Sequence, residues 1–377
     1  MSKTIYFVAG EASGDNHGAA LMRSLRESDV DLNFIGRGGP QMRMIAGEKF
    51  KNWIENAAVV GLWEVIKKYG YFREKFRETL DEIEENKADA VILIDYPGFN
   101  LRLARALRRR SAKQKIIYYI SPQVWAWNRG RIKKMARFLD LMLCIFPFEA
   151  ELYNKSRLRT VFVGHPMVER LRTRKLDIER DPNLIGLFPG SRHREVRKIF
   201  PILIETAHEL HQQRANLHFE VAAASETLAS KISDTLADAH VKEGLFRVVT
   251  DETAATMQRA SLGIVASGSA TLEAAYFRLP YVLIYKVAWP TYLAARLVVN
   301  VKFLGMPNVL ANKEVVPEFI QHRAKPKTIA KAFLQLINNP AARDRMISEF
   351  DQIVAKLGEG RASKKAARAI VEELGGT

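Results

Sequence analysis

Two short stretches in the C-terminal half carry the residue types that hold a phosphorylated ligand. Val265-Ala-Ser-Gly-Ser-Ala-Thr-Leu-Glu273 closes an apolar strand, turns on small and hydroxyl-bearing residues, and opens a helix whose first turn carries a glutamate. Small side chains let backbone N–H groups approach a diphosphate at a helix N-terminus, where the helix dipole favours negative charge. Ser267, Gly268, Ser269, Ala270 and Thr271 are the candidate phosphate contacts, and Glu273 is placed to accept the two hydroxyls of a ribose. Phe188-Pro-Gly-Ser-Arg192 is a second turn of this kind, again directly after an apolar strand, with Gly190, Ser191 and Arg192 as its candidates. Taken singly, each also has the make-up of an ordinary helix N-cap. The pair, with Arg192 and Glu273, predicts a nucleotide-sugar pocket.

The N-terminal half offers carboxylates instead. The apolar run Ala90-Val-Ile-Leu-Ile94 ends in Asp95, followed by Tyr96-Pro-Gly-Phe-Asn100. A carboxylate that terminates an apolar strand is partly desolvated, which raises its pKa towards that of a useful general base, and Asp95 is the candidate for that role. Helix capping is the structural alternative, but Asn100 is better placed for it. The first strand ends in Gly10-Glu-Ala-Ser-Gly-Asp15, which sets Glu11, Ser13 and Asp15 at the strand's carboxyl edge, with a helix expected from about His17. G-x-G-x-x-G is absent, and acidic groups there would repel a pyrophosphate, so this is not a dinucleotide fingerprint. In Ser121-Pro-Gln-Val-Trp-Ala-Trp127, Gln123 and Trp125 either line a pocket for a sugar or apolar substrate or plug the core. His17 and His165 fit either a cleft wall or a satisfied turn, and His193 carries no assignment.

Strand-like runs must position these residues, and they alternate with amphipathic helical patterns. Strands are expected at about 3–9, 33–37, 90–95, 115–120, 141–146 and 160–164, with helices such as Gly18–Glu27 and Leu101–Arg109 between them. After a polar pause between Met167 and Asn183, read as a linker, strands recur near 184–188, 217–223, 246–250, 262–266 and 281–286, with a helix at Ile199–Arg214. This alternation predicts an α/β chain of two Rossmann-like doubly wound domains facing across a cleft, with ligands at the carboxyl ends of the strands. The last third reads as polar-faced helices, the final one packing back on the first domain.

A length of 377 residues fits two cores rather than one, and 47% apolar with 27% charged residues excludes disorder. The lone Cys144, in an apolar run, permits no internal disulfide and reads as a buried structural thiol. Met1 leads straight into a strand without a basic leader, and no run of eighteen apolar residues occurs, so a cytoplasmic chain that does not span a membrane is expected. A net charge of +16 calls for an anionic partner. Val59 to Phe72 pairs Leu62, Trp63, Val65, Ile66, Tyr69 and Phe72 with lysines, as a helix lying in a bilayer interface does. Such a pattern also serves a helix that covers a sheet; a second aromatic-basic stretch, Lys286–Lys302 with Trp289, Tyr292 and Arg296, favours the membrane.

Ala9-Gly-Glu-Ala-Ser-Gly-Asp15, Ile94-Asp-Tyr-Pro-Gly-Phe-Asn100, Ser121-Pro-Gln-Val-Trp-Ala-Trp127, Phe188-Pro-Gly-Ser-Arg192, Ser267-Gly-Ser-Ala-Thr-Leu-Glu273 and Pro307-Asn-Val-Leu310, in this order, resemble the lipid-A-disaccharide synthase family over residues 4 to about 322. The resemblance implies a GT-B glycosyltransferase that joins UDP-2,3-diacylglucosamine to 2,3-diacylglucosamine 1-phosphate, forming a β-1,6 disaccharide with inversion and releasing UDP, with no metal or other cofactor. It implies Asp95 as base, with Arg192 and Asn308 serving the UDP. It also implies peripheral association with the anionic inner face of the cytoplasmic membrane and a homodimer with exchanged C-terminal segments. Residues 1–168 become an acceptor-binding, membrane-associating domain, 169–345 a UDP-sugar domain, and 346–377 the returning helices. Gly98 departs from the pattern, standing where relatives often carry a second acid. Two rivals are a soluble UDP-sugar epimerase on the same scaffold, separable by lipid dependence, and a basic nucleic-acid-binding protein. No nucleic-acid module is visible, and Arg108-Arg-Arg110 closes an amphipathic helix, where cations suit the dipole.

Overall fold

The structure, a computed structural model, describes residues 2–28, 31–54, 69–110, 113–128, 130–289, 292 and 301–375, with Tyr69 and Trp127 described in their backbone only. The chain divides into two compact units, one of residues 1–169 with 357–377 and one of residues 170–356.

In the first unit, β1 (Lys3–Ala9), β2 (Leu32–Gly38), β3 (Phe50–Asn52), β4 (Ala90–Ile94), β5 (Lys115–Tyr119), β6 (Leu141–Cys144) and β7 (Thr160–Phe162) form one sheet. Every pairing is parallel, and the order is β3-β2-β1-β4-β5-β6-β7. Helices α1 (Ala12–Arg26), α2 (Pro40–Ala46), α3 (Tyr69–Glu85), α4 (Pro97–Arg110), α5 (Val124–Trp127), α6 (Gly130–Met135), α7 (Pro147–Asn154) and α8 (Pro166–Arg172) follow these strands. Because strand side chains alternate, β1 sends Ile5, Phe7 and Ala9 into one core with Leu21, Met22 and Leu25 of α1. It sends Tyr6 and Val8 into the other, with Leu80 and Ile83 of α3 and Leu103 and Leu107 of α4. Both faces are covered, which is why these strands read as unbroken apolar runs.

The second unit repeats the plan with β8 (Asp181–Phe188), α9 (His193–Gln213), β9 (His218–Ala223), α10 (Glu226–Asp238), β10 (Phe246–Thr250), α11 (Thr253–Arg259), β11 (Ala260–Ala266), α12 (Ala270–Tyr276), β12 (Tyr281–Tyr285), α13 (Met306–Ala311) and β13 (Glu318–Ile320). Its sheet is also parallel, in the order β10-β9-β8-β11-β12-β13. Helices α14 (Pro326–Asn338) and α15 (Pro340–Lys356) complete it, and α16 (Ala362–Glu373) packs on α1 in the first unit. The chain therefore returns at Leu357, after α15, rather than at residue 346.

In each sheet the strand order reverses once, between β1 and β4 in the first unit and between β8 and β11 in the second. Helices leave opposite faces at such a point and open a crevice beyond the strands' carboxyl ends, where doubly wound sheets bind ligands. Glu11 and Asp95 follow the strands flanking the first crevice; Pro189–Arg192 and Ser267–Ala270 follow those flanking the second.

Four sequence expectations change. The three-residue edge strands β3 and β13 carry too short a pattern to be read as strands. Residues 166–172 are helical, overlapping the start of the stretch read as linker. Helix α1 starts at Ala12 instead of about His17, so Ser13 and Asp15 lie in its first turn. Phe72, expected at a bilayer, packs partly buried against the first unit's core. Leu62, Trp63, Val65 and Ile66 lie outside the described residues, as does the side chain of Tyr69. Among the described residues, no helix is long and apolar enough to cross a membrane.

Candidate active site

At the first crevice, Ala9 pairs with Ile94, so the residues that follow, Gly10-Glu11 and Asp95-Tyr96, leave adjacent strands side by side. A Cβ on Gly10 would come within 2.4 Å of the Tyr96 ring, which is why the residue after this strand is glycine. Asp95 and Tyr96 take φ values of +45° and +50°, a left-handed conformation that costs non-glycine residues of order 1–3 kcal/mol each. Hydrogen bonds hold it there. Asp95 N–H donates to Tyr119 O at 3.0 Å, and Asp95 O accepts from Tyr118 Oη at 2.5 Å and Asn100 Nδ2 at 2.7 Å. Asn100, expected at the cleft, is thus fully buried and braces the turn from within the unit.

Burial, and next the neighbouring charge of Glu11, push the Asp95 carboxyl up to about 6. Glu11 is exposed at the N-cap of α1, and Ser13 is exposed in the first turn. A Cβ on Gly98 would meet nothing within 4 Å, so no crowding explains the missing second acid.

Asp15, expected to face a ligand, is corrected. Its buried carboxylate accepts from the N–H groups of Gly39 (2.9 Å), Gln41 (2.9 Å) and Met42 (3.0 Å), and so caps α2. Of the two roles open to Trp125, the structure shows the core plug: it is buried edge-on to Phe148 with ring centroids 4.9 Å apart, its indole N–H donating to Glu149 Oε1 at 2.9 Å. Glu149, which the sequence reading passed over, is 0% exposed; it also accepts from Phe146 N at 3.1 Å, and burial pushes it up to about 7. Gln123 is exposed at the start of α5. The His165 ring packs on Phe146, and its Nδ1 accepts from Met167 N at 3.1 Å, a turn role. His17 is half-buried within α1, and His193 is exposed at the start of α9.

At the second crevice, Gly190 has φ +111°, and the chain then turns into α9 with Ser191 and Arg192 exposed. Arg192 Nη1 lies 3.4 Å from Glu195 Oε1. Across the reversal, Ser267 N–H donates to Ile284 O at 3.0 Å, and Gly268 and Ser269 are exposed. Within this turn Thr271 N–H donates to Gly268 O at 3.2 Å and Leu272 N–H to Ser269 O at 3.0 Å, so the N–H groups that a helix start leaves without intrahelical acceptors are the earlier ones, up to Ala270. Thr271 is corrected, because its fully buried hydroxyl donates to Gly268 O at 2.7 Å and shapes the turn from beneath. Glu273 is mostly buried and ion-paired with Arg170 Nη2 at 2.7 Å. Arg170 went unread because it falls in the stretch taken as linker. Its spacing from the other site residues gives no local signal.

Asn308 is corrected most sharply. Its buried amide donates to Val316 O (2.8 Å) and Glu318 Oε1 (2.9 Å) and accepts from Val315 N (2.7 Å) and Val316 N (2.9 Å). The side chain pins a loop and has no capacity left for a nucleotide. Among the described residues, no three His, Cys, Asp or Glu side chains gather to hold a metal ion.

A family model described as lipid-A-disaccharide synthetase matches residues 5–371. A lipid-A-disaccharide synthase from Geobacter sulfurreducens is 38% identical over 383 residues, covering 99% of this chain and 98% of that protein. A UDP-GlcNAc 2-epimerase from Neisseria meningitidis, solved bound to UDP-GlcNAc, shares the fold with a TM-score of 0.61 at 12% identity, over 99% of this chain and 100% of the other. MurG from Acinetobacter baumannii does so with a TM-score of 0.57 at 12% identity, over 98% and 99%.

Proposed function

The chain belongs to the lipid-A-disaccharide synthetase family and is a glycosyltransferase of GT-B fold, and on that premise we propose the reaction it performs. It transfers 2,3-diacylglucosamine from UDP-2,3-diacylglucosamine to the 6-hydroxyl of 2,3-diacylglucosamine 1-phosphate, giving a β-1,6 disaccharide 1-phosphate and UDP. Asp95 takes the proton of the 6-hydroxyl as its oxygen attacks the anomeric carbon. The bond to UDP breaks in the same displacement, so the anomeric configuration inverts. UDP leaves with the electron pair, and Arg192 and the backbone N–H groups of Gly268–Ala270 meet the growing charge, the Ser267 N–H being held by Ile284 O. Glu273, oriented by Arg170, holds the ribose.

The single observation that carries this chemistry is Asp95, a strained, half-buried carboxyl pushed up to about 6 at the first unit's strand reversal. That value suits a base working near neutrality. UDP-GlcNAc bound by the Neisseria protein supports a UDP-sugar as ligand of this fold. The epimerase alternative rests on fold likeness alone, whereas full-length relatedness favours the synthase. The anionic inner face of the cytoplasmic membrane remains part of the proposal, supported by the net charge of +16 and by Trp289, 56% exposed and edge-on to Tyr292. So does a homodimer that exchanges C-terminal segments, since α16 follows a crossing between units.

Mass spectrometry of the product from defined donor and acceptor tests the reaction. Asp95→Ala is expected to lose about 10²–10⁴-fold in turnover while binding UDP normally by calorimetry. Near-normal turnover removes Asp95 from the mechanism.

A further inference from the structure

Beside the first crevice, α4 and α6 wall a groove of about 500 Å³. Arg102, Arg105 and Arg109, spaced by three and four residues, line up along one exposed face of α4. Arg131, Lys134 and Arg137 stand opposite them, also exposed. Arg108 lies on the same groove but is ion-paired with Asp140. No acidic side chain lines the groove among the described residues, while the half-buried Leu101 and Phe138 give it an apolar floor over the buried Met135. The groove opens at Pro97 and Gly98, on the turn that follows Asp95. Arg102, Arg105, Arg109, Lys134 and Arg137, gathered without a lining carboxylate among the described residues, repel one another, and a polyanion relieves that repulsion.

We propose that this groove binds the phosphate groups of anionic membrane phospholipids, seating the first unit on the bilayer. The cations take the phosphates, and the half-buried Leu101 and Phe138 meet the glycerol and first acyl carbons. A nucleic-acid backbone offers the phosphates but nothing for that floor. The inference rests on the proposed reaction at a membrane surface, and it locates the contact on the same turn as the base, where a lipid acceptor arrives.

The test uses the full chain and co-sedimentation with vesicles of phosphatidylcholine, with or without about one-third phosphatidylglycerol. Arg105→Gln, Arg109→Gln and Lys134→Gln together should weaken binding to the mixed vesicles on the order of a hundredfold, at roughly fivefold per cation near an anionic surface. A control changing exposed Lys231, Lys242 and Lys356 to Gln, with the same loss of charge, should weaken it less than about tenfold. Equal losses in the two variants, or wild-type binding by the groove variant, would overturn the proposal. So would release of the wild type by millimolar inorganic phosphate at constant ionic strength, which would assign the groove to free phosphate. Loss of duplex DNA binding with vesicle binding intact would assign it to nucleic acid. Turnover on detergent-dispersed substrates is read separately: the groove variant should match wild type there. A wild type inactive in detergent would sink the reaction without touching the vesicle result.

Discussion

An acid that directly follows an apolar run lies at the carboxyl end of the strand that run forms, which made the place of Asp95 legible in the sequence. What spacing could not show is which polar residues at strand ends turn inward. Asp15, Thr271 and Asn308 have the types that touch ligands, yet each bonds backbone groups of its own unit. The partner of Asp95 is Glu11, whose charge, after burial, raises the Asp95 carboxyl. In the proposed reaction Asp95 must be deprotonated to act as base, so kcat/KM should fall below about pH 6. Glu11→Gln removes one of the two raising influences and leaves burial. The acidic limb of the pH–rate profile should then move to lower pH. A limb at the wild-type position would show that Glu11 exerts no field on the base, and loss of UDP binding in this variant would place Glu11 in another role.

Elements were legible where the chain buries both faces of a strand. β4 reads as Ala-Val-Ile-Leu-Ile and is buried throughout. The short edge strands β3 and β13 and helices opening on Ser and Gly carry too little periodicity, whereas β7, equally short, overlaps the apolar run Val161-Phe-Val163. The loop between β5 and α5 was readable as a motif, but not the element beneath it. There α7 carries Glu149, whose carboxylate fills its own helix cap and holds Trp125 from below. Its pKa in the folded state, about 7, lies above the ordinary glutamate value of 4.5, chiefly through burial. Folding therefore favours the protonated form. The associated stability is fully present below about pH 4.5 and is lost as pH rises through about 7. Glu149→Gln keeps an oxygen for the indole and cannot ionise. It should abolish a loss of order 2–3 kcal/mol between these limits, read as urea midpoints at pH 5 and pH 8. Wild type and variant changing in parallel with pH would show that Glu149 is not what titrates.

At the scale of the molecule, alternating strands and helices foretold two doubly wound sheets, because each βαβ unit has one favoured hand and local length. The return of the C-terminus needs contacts distant in sequence. Ala366, Ala367 and Ile370 of α16 enter the same core as Leu21, Met22, Leu25 and Phe34. The mostly buried Glu373 carboxylate bridges Lys115 at 2.7 Å and Arg159. The first unit's core therefore includes residues synthesised after the whole second unit. Ile370 is fully buried, so Ile370→Ala leaves a cavity and should cost the first unit about 2–4 kcal/mol. Urea unfolding followed by tryptophan fluorescence reads this through Trp53 and Trp125, both buried in that unit, and UDP affinity in the second unit should not change. If copies exchange their C-terminal segments, the same contacts form between chains, and mass action makes the first unit's midpoint rise with protein concentration. With α16 docked within one chain, the midpoint stays constant on dilution. The Ile370→Ala loss is expected in both arrangements, and a midpoint unmoved by that substitution would mean that α16 adds nothing to the first unit's stability.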